Sequence, residues 1–213
     1  MSDAELLSQG AAELGLPLES TQAARLIELV DALEAGNARF NLTAIRDRPG
    51  MLQKHILDSL TLLPFLKGER IADVGTGAGF PGLPLAIMDP ARRFTLIEAT
   101  GKKARFVTDT VAALNLGNVT VVNERAERYR PSELFDTVTA RALAALADFV
   151  AYAGHLCAPK GRLLAMKGKR PDEEIARLPK SFKVLAVHAL RVPGLSDARH
   201  LVELTPAQAR SKP

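Results

Sequence analysis

The sequence predicts an α/β fold with a mostly parallel sheet of seven strands that is closed by a C-terminal antiparallel hairpin. From Arg70 onward, short apolar runs alternate with helix-length segments, which is the pattern of a parallel sheet covered by helices on both faces. The last two apolar runs have no helix-length segment between them, so they are expected to pair antiparallel. Before Arg70 the apolar period is helical, which predicts an N-terminal helical extension.

The helical extension is expected to span residues 1–68 and to pack on the sheet. Two stripes of apolar residues at helical spacing predict its main helices. The stripes are Leu26, Ile27, Val30 and Leu33, and then Leu52, Ile56, Leu60 and Leu63. The second helix is expected to begin after residues 48–50 and to end at Pro64 and Gly68.

The sheet domain is expected to span residues 69–205, followed by a tail at 206–213. Five apolar runs predict its parallel strands, at 70–74, 93–98, 119–123, 135–140 and 162–166. Helices are expected at 81–88, 101–116 and 142–157, and the antiparallel pair at 182–190 and 201–204. Right-handed crossovers place the carboxyl ends of the parallel strands at one edge, where ligands bind such sheets.

The composition favours a reduced, cytoplasmic setting. The chain has 213 residues, of which 47% are hydrophobic, so one ordinary domain with a buried core is expected. Cys157 is the single cysteine, which excludes an internal disulfide and a cysteine-built zinc site. The sequence shows neither an apolar run of about 20 residues nor a basic leader, so we expect no membrane segment and no secretory signal.

Charge is unevenly distributed along the chain. The first 36 residues carry seven acids and one arginine, a net charge of −6. Because the whole chain has a net charge of +4, the remaining residues have a net charge of +10. A basic body indicates a polyanionic partner on one face. A solvated surface of mixed sign explains the same numbers equally well, so charge alone does not decide.

The residues after the first predicted strand indicate a ligand site. Asp73 lies near the carboxyl end of that strand, and Gly75, Gly77 and Gly79 follow at alternate positions. Glycines without a Cβ beside a helix start let a ligand approach the backbone. Glu98 closes the second strand, where a carboxylate can accept both hydroxyls of a ribose.

Two cofactors compete for this turn. A dinucleotide needs a diphosphate cradle, but Pro81 lies inside the candidate loop and removes an amide that a phosphate would use. S-adenosylmethionine has no phosphate, and its ammonium group gives the buried Asp73 a partner. The turn therefore favours S-adenosylmethionine.

The order of motifs resembles a known family. The turn at 73–79 (Asp-Val-Gly-Thr-Gly-Ala-Gly) is similar to the first motif of the class I methyltransferases, whose fold is Rossmann-like. The wider pattern resembles the bacterial small-subunit ribosomal RNA methyltransferase G, or glucose-inhibited division protein B, family over residues 20–204. Its motifs lie at 41–43 (Asn-Leu-Thr), 55–59 (His-Ile-Leu-Asp-Ser), 80–82 (Phe-Pro-Gly), 101–103 (Gly-Lys-Lys), 139–142 (Thr-Ala-Arg-Ala), 166–168 (Met-Lys-Gly) and 200–202 (His-Leu-Val).

The resemblance implies a substrate and a set of cofactor contacts. It implies S-adenosylmethionine-dependent methylation of N7 of a guanosine, number 527 in the usual numbering, in the 530 loop of 16S ribosomal RNA. The partner would be naked 16S ribosomal RNA or the 30S subunit. The cofactor contacts that it implies are Gly75, Phe80, Ala126, Glu127 and Arg141, beside Asp73, Gly77, Gly79 and Glu98 from the turn itself.

Methylation at N7 needs alignment and not a general base, because N7 carries a lone pair and no proton at neutral pH. We therefore assign positioning roles to Arg141, Asn41 and Lys167, with helix capping as the alternative for Asn41. No metal is expected, since no cluster has the spacing of metal ligands, and we expect a monomer. The candidates for RNA contact are His55, Ser59, Lys102, Lys103, Lys167 and Arg199.

Three other functions fit parts of the sequence. A methyltransferase for another substrate would share the fold, and the basic body argues against it only weakly. A nucleotide-binding oxidoreductase is disfavoured by Pro81 and by the antiparallel end. A non-catalytic RNA-binding module would bind the cofactor without transferring its methyl group.

Overall fold

A computed structural model describes residues 1–141 and 145–207. Its strands are β1 Arg70–Val74, β2 Arg93–Ile97, β3 Val119–Val122, β4 Phe135–Ala140, β5 Cys157–Lys167, β6 Phe182–Leu190 and β7 Arg199–Pro206. They form one sheet in the order β3-β2-β1-β4-β5-β7-β6. The first five strands run parallel, and β7 is antiparallel to both β5 and β6. The predicted α/β architecture with its antiparallel end is confirmed.

The helices lie before and between the strands. They are α1 Asp3–Glu13, α2 Ser20–Phe40, α3 Arg48–Met51, α4 Asp58–Leu60, α5 Gly82–Met88, α6 Gly101–Ala113, α7 Leu146–Ala153 and α8 Asp172–Ala176. A π-helical segment, Leu52–Leu57, joins α3 to α4 without a break. Within the described residues, none of the helices combines the length and the apolar character needed to cross a membrane.

Several predicted helix boundaries are wrong; the helix predicted at 101–116, for example, ends at Ala113. Helix α3 begins at Arg48 and not after Gly50, because the Asp47 carboxylate accepts a hydrogen bond from Gly50 N at 2.7 Å and so caps it. Pro49 suits this first turn, which needs no intrahelical N–H. The predicted helix at 142–157 ends too late, since Cys157 already belongs to β5.

Some sequence predictions fall outside the described residues. Residues 142–144, which include Ala142 of the motif at 139–142, are among them, and so are residues 208–213 of the predicted tail. Pro206, which was assigned to the tail, ends β7. The division at residue 68 between a helical extension and a sheet domain stays a prediction.

Alternation along the strands divides the core into two layers. On β5, Leu164 and Met166 join the core on one face of the sheet, whereas Leu163 and Ala165 join the core on the other. The first layer also contains the apolar residues of α1, α2, α5, α6 and the segment 52–62, and the second contains those of α7. The N-terminal helices therefore share a hydrophobic core with the sheet, which positions their polar residues against its edge.

Candidate functional site

The glycines after β1 do two different things. Gly75, Gly77 and Gly79 have φ values of +66°, +63° and +95°, which strain any residue with a Cβ. A Cβ on Gly75 would meet no atom within 4 Å, and one on Gly77 only the Gly75 carbonyl at 4.0 Å. A Cβ on Gly79 would instead lie 2.3 Å from Leu83 Cδ1. Gly75 and Gly77 thus border open space, while Gly79 lets the loop pack on α5.

Asp73 is a buried carboxylate with one unused oxygen. Its Oδ2 accepts hydrogen bonds from Thr76 Oγ1 at 2.6 Å and from Gly82 N at 2.9 Å, whereas its Oδ1 has no hydrogen-bond partner. Burial raises the pKa of Asp73 to about 6, although both hydrogen bonds and the nearby Arg141 oppose the rise. An orphaned buried acceptor beside an open turn fits the ammonium group of S-adenosylmethionine.

Glu98 joins the loops after β1 and β2. Its Oε2 accepts from Gly77 N at 2.9 Å and its Oε1 from Thr100 N at 2.7 Å. Asn123, after β3, donates to the Glu98 carbonyl at 2.8 Å. Each carboxylate oxygen keeps a second lone pair, so Glu98 can still accept from the hydroxyls of a ribose.

One cleft brings together Gly75, Glu98, Ala126 and Glu127, which the sequence assigned to the cofactor. It lies at the carboxyl ends of β1, β2 and β3 and is open to solvent, which is where ligands bind parallel sheets. Its lining consists of Val74, Gly75, Ile97, Glu98, Ala99, Glu124, Arg125, Ala126, Glu127 and Tyr152.

A second cluster lies beside the glycine turn and is centred on Arg141. The guanidinium donates from Nη1 to the Lys54 carbonyl at 3.0 Å and from Nη2 to His55 Nδ1 at 3.2 Å. It forms an ion pair with Asp58 at 3.5 Å, and its central carbon lies 5.5 Å from the centre of the Phe80 ring. Arg141 therefore links the glycine loop to the helical segment 48–60.

His55 is neutral in this cluster. Burial, and secondarily the charge of Arg141, lowers the pKa of His55 to about 3. Because an arginine only donates, Nδ1 must accept, and Nε2 then donates to Thr43 Oγ1 at 2.9 Å. The imidazole also stacks on Phe80, with ring centres 4.8 Å apart. Phe80 itself is almost fully buried, so it packs beneath His55 and Arg141 as part of the core and not as an exposed surface.

The basic candidates for RNA contact differ in their exposure and in their ion-pair partners within the protein. Lys102 is exposed and Lys103 half-buried at the start of α6. Lys167, at the carboxyl end of β5, lies 2.8 Å from Glu174 Oε1 with a side chain that is 11% exposed. Arg199, at the start of β7, pairs with Asp58 at 3.4 Å.

Two polar candidates serve local structure. Ser59 has no exposed surface and donates to the His55 carbonyl at 2.5 Å, so in this conformation it offers nothing to RNA. Asn41 is the C-cap of α2 at φ +50°, and its Oδ1 accepts from Arg46 at 2.9 Å. The capping interpretation of Asn41 is the one that the structure bears out.

Sequence reasoning missed several residues of the site. Thr43, which fixes His55, and Arg125 and Tyr152, which line the cleft, were not proposed. Arg125 lies within the loop after β3, and its place beside the predicted Ala126 and Glu127 was a usable signal. Tyr152 lies on α7, far along the chain, and no sequence pattern connects it to that loop.

The fold resembles those of solved methyltransferases. A SAM-dependent methyltransferase from Aquifex aeolicus superposes with a TM-score of 0.56 at 22% identity, over 74% of this chain and 94% of that one. A glycopeptide N-methyltransferase in complex with S-adenosyl-L-homocysteine gives a TM-score of 0.62 at 13% identity, over 72% and 87%. Together with the glycine turn and the cleft, this architecture is the class I, Rossmann-like methyltransferase fold.

Sequence similarity identifies the family. The profile described as rRNA small subunit methyltransferase G matches residues 22–202. The protein of that name from Nitrosococcus oceani is 48% identical over 204 residues, 96% of this chain and 95% of the relative. The one from Aromatoleum aromaticum is 49% identical over 206 residues, 94% and 98%. The chain belongs to the rRNA small subunit methyltransferase G family.

Proposed function

We propose that this protein methylates N7 of guanosine 527 in the 530 loop of 16S ribosomal RNA. The observation that carries the proposal is the arrangement of one sheet edge. The open cleft lies at β1 to β3, and the cationic residues Arg141, Lys167 and Arg199 follow at β4, β5 and β7. A donor site and a site for an anionic acceptor are thereby adjacent, and the names of the relatives point to ribosomal RNA as that acceptor.

On the donor side, we assign Asp73 to the ammonium group and Glu98 to the ribose. Gly75 and Gly77 leave room for the ligand because a Cβ on either would enter open space. Ala126 and Glu127 meet the edge of the adenine. Gly79 contributes by close packing of the loop, and Phe80 by supporting Arg141 and His55.

The proposed reaction requires the protein to align the methyl group of the donor with guanine N7. S-adenosylmethionine supplies a methyl group on a positively charged sulfur, and guanine N7 supplies the lone pair. The bond from carbon to N7 forms as the bond to sulfur breaks, and the positive charge moves to the guanine, so no proton is transferred. The neutral His55 fits this scheme, because the reaction needs neither an acid nor a base from the protein.

On the acceptor side, we assign phosphate contacts to Lys102, Lys103, Lys167 and Arg199. Arg141 orients the acceptor or the donor from the border between them, and His55 fixes Arg141 through its hydrogen bond. Asn41 would act by shaping the turn that carries Thr43 to His55. We infer that the protein acts as a cytoplasmic monomer on naked 16S ribosomal RNA or on the 30S subunit.

The test is methyl transfer from labelled S-adenosylmethionine to unmodified 16S ribosomal RNA and to unmodified 30S subunits. The labelled nucleotide is then mapped by cleavage at 7-methylguanosine. We expect one labelled guanosine, at position 527. Label at another nucleotide contradicts the proposed substrate, and donor binding without transfer to either RNA supports a non-catalytic RNA-binding module instead.

A further inference from the structure

Asp58 lies between the two arginines of the site. Its side chain is 5% exposed, and its Oδ2 lies 3.5 Å from Arg141 Nη1 while its Oδ1 lies 3.4 Å from Arg199 Nε. Arg141 comes from the end of β4 and Arg199 from the start of β7, whereas Asp58 belongs to α4 in the N-terminal part of the chain. One carboxylate therefore joins three separate elements.

The two guanidinium groups need this carboxylate. Burial is the main cause of the lowered pKa of Arg141, and the nearby charge of Arg199 lowers it further. Without a counter-charge the two guanidinium groups would therefore repel each other. Asp197 also pairs with Arg199, but at 3.9 Å and with a side chain that is 63% exposed, which makes it a weak partner. Asp58 is the buried partner that both arginines share.

The ion pairs leave both arginines able to bind a ligand. The contact of Arg199 with Asp58 lacks hydrogen-bond geometry, because Asp58 Oδ1 is buried without a hydrogen-bond partner. Arg141 uses one N–H toward Lys54 and one toward His55, and Arg199 uses one toward Ala198. A guanidinium has five N–H donors, so each keeps donors for a phosphate or for the cofactor.

We propose that Asp58 is a positioning residue, whose carboxylate holds Arg141 at the donor side and Arg199 at the acceptor side in one fixed arrangement. The acceptor half of this inference rests on the proposed function, because it takes an RNA phosphate as the ligand of Arg199. It follows that the N-terminal helical segment takes part in substrate binding and is more than a covering for the sheet.

The experiment compares Asp58→Asn, Arg199→Gln and the double variant with the wild-type protein. Asparagine keeps the shape of Asp58 and removes its charge. We expect Asp58→Asn to lower kcat/KM for the RNA between about 10-fold and 100-fold, since small displacements of positioning groups have effects of this size. Because Asp58 acts partly through Arg199 and partly through Arg141, the double variant should lose more than Arg199→Gln alone but less than the product of the two single losses.

Binding of S-adenosyl-L-homocysteine gives a measurement that does not depend on RNA. Through Arg141, Asp58→Asn should weaken this binding about fivefold or more, the usual size of a coupling between sites. This arm tests Asp58 even if the wild-type protein methylates no RNA, an outcome that would contradict the proposed substrate alone.

Glu203→Gln is the matched control. Glu203 is a partly buried carboxylate that pairs with Arg162 at 2.9 Å within the sheet, away from the carboxyl edge of β5. We expect Glu203→Gln to lower the melting temperature without changing kcat/KM for the RNA or the affinity for S-adenosyl-L-homocysteine. If Asp58→Asn behaves like this control, or if its loss multiplies with that of Arg199→Gln, the positioning role is wrong.

Discussion

The glycine turn after β1 shows how neighbouring residues of one type differ in function. Gly75 and Gly77 face open space, whereas Gly79 and Gly82 have Leu83 and Leu96 within 2.3 Å and 2.1 Å of a would-be Cβ. A side chain at the first pair would enter open space, which at Gly75 belongs to the cleft, and one at the second pair would disrupt packing. Substitutions at the two pairs should therefore separate cofactor binding from stability.

Gly77→Asp is expected to abolish binding of S-adenosyl-L-homocysteine, because its carboxylate would enter the cleft near Glu98. Isothermal titration calorimetry measures the binding, and circular dichroism checks the fold. Gly15→Asp is the control, since Gly15 has a φ of +69° and open space around it but lies after α1. Equal effects of both substitutions on cofactor binding would contradict the placement of the site.

Asp73→Asn is expected to weaken cofactor binding without lowering the melting temperature at pH 7.5. The folded pKa of Asp73 is raised to about 6 from 3.8, so its burial reduces stability as the pH rises between these values, and asparagine removes that effect. In the wild-type protein, the affinity for S-adenosyl-L-homocysteine, measured by calorimetry, should fall roughly tenfold from pH 7.5 to pH 5 as Asp73 takes up a proton. An equal fall in the variant would exclude Asp73 as the titrating group.

His55→Gln tests the buried imidazole. The folded pKa of His55 is about 3, below its usual 6.5, so the unfolded chain takes up the proton first and stability is lost as the pH falls below 6.5. Relative to the variant, the wild-type protein should lose about 2 kcal/mol of unfolding free energy between pH 7.5 and pH 5. Urea denaturation at both pH values measures the difference, and parallel losses would show that His55 is not responsible.

At the scale of elements, short apolar strands were the best predicted part of the chain. The predictions at 70–74, 135–140 and 182–190 match β1, β4 and β6, because each run is bounded by polar or turn-forming residues. The prediction for β5 is too short, since the strand begins at Cys157, which pairs with Phe135 of β4 before a shift in register. The π-helical segment at Leu52–Leu57 has the same apolar stripe as an α-helix, so the sequence did not distinguish them.

The packing of the N-terminal helices also depends on one arginine. Arg48, in α3, forms ion pairs with Asp3 of α1 at 2.5 Å, with Asp31 of α2 at 2.6 Å and with Glu34 of α2. These carboxylates hold the pKa of Arg48 above its usual range. Part of the acidic surplus of the first 36 residues is thus used inside the extension.

Arg48→Gln is expected to reduce the unfolding free energy by about 1–2 kcal/mol, because three partly exposed ion pairs are lost together. The melting temperature should fall by about 2–8 °C and cofactor affinity should not change. Arg177→Gln is the control, since the Arg177–Glu173 pair is long, at 3.7 Å, and both side chains are largely exposed. A weakened affinity for S-adenosyl-L-homocysteine in Arg48→Gln would instead show that α1 and α2 influence the cleft.

At the scale of the whole molecule, the sheet separates two groups of basic residues. Lys102 and Lys103 lie at the carboxyl edge with the cleft, at the start of α6. Lys180 and Lys183 lie at or near the start of β6. This start is at the opposite edge, because β6 and β5 are both antiparallel to β7 and β6 therefore runs in the same direction as β1 to β5. Equal charge changes at the two edges should therefore affect RNA binding differently.

Lys102→Glu with Lys103→Glu should weaken binding to 16S ribosomal RNA and reduce the slope of log affinity against log salt by about 1.4, roughly 0.7 for each lost phosphate contact. Lys180→Glu with Lys183→Glu changes the net charge equally and should leave that slope unchanged. Fluorescence anisotropy at salt concentrations from about 50 to about 200 mM measures the slope for both double variants. Equal slopes in the two double variants would contradict a directed RNA surface.

The sequence by itself determined the α/β alternation, the antiparallel end, the glycine turn and the resemblance that led to the family. These features are built from local patterns and from the order of those patterns along the chain, since each strand, turn or motif depends on residue types within about ten positions. Only the tertiary structure decided how Asp58, Arg141 and Arg199 meet, that Ser59 is buried, and that Gly75 and Gly77 differ from Gly79. Those facts arise where separate elements pack together, and spacing along the chain does not encode distances across that contact.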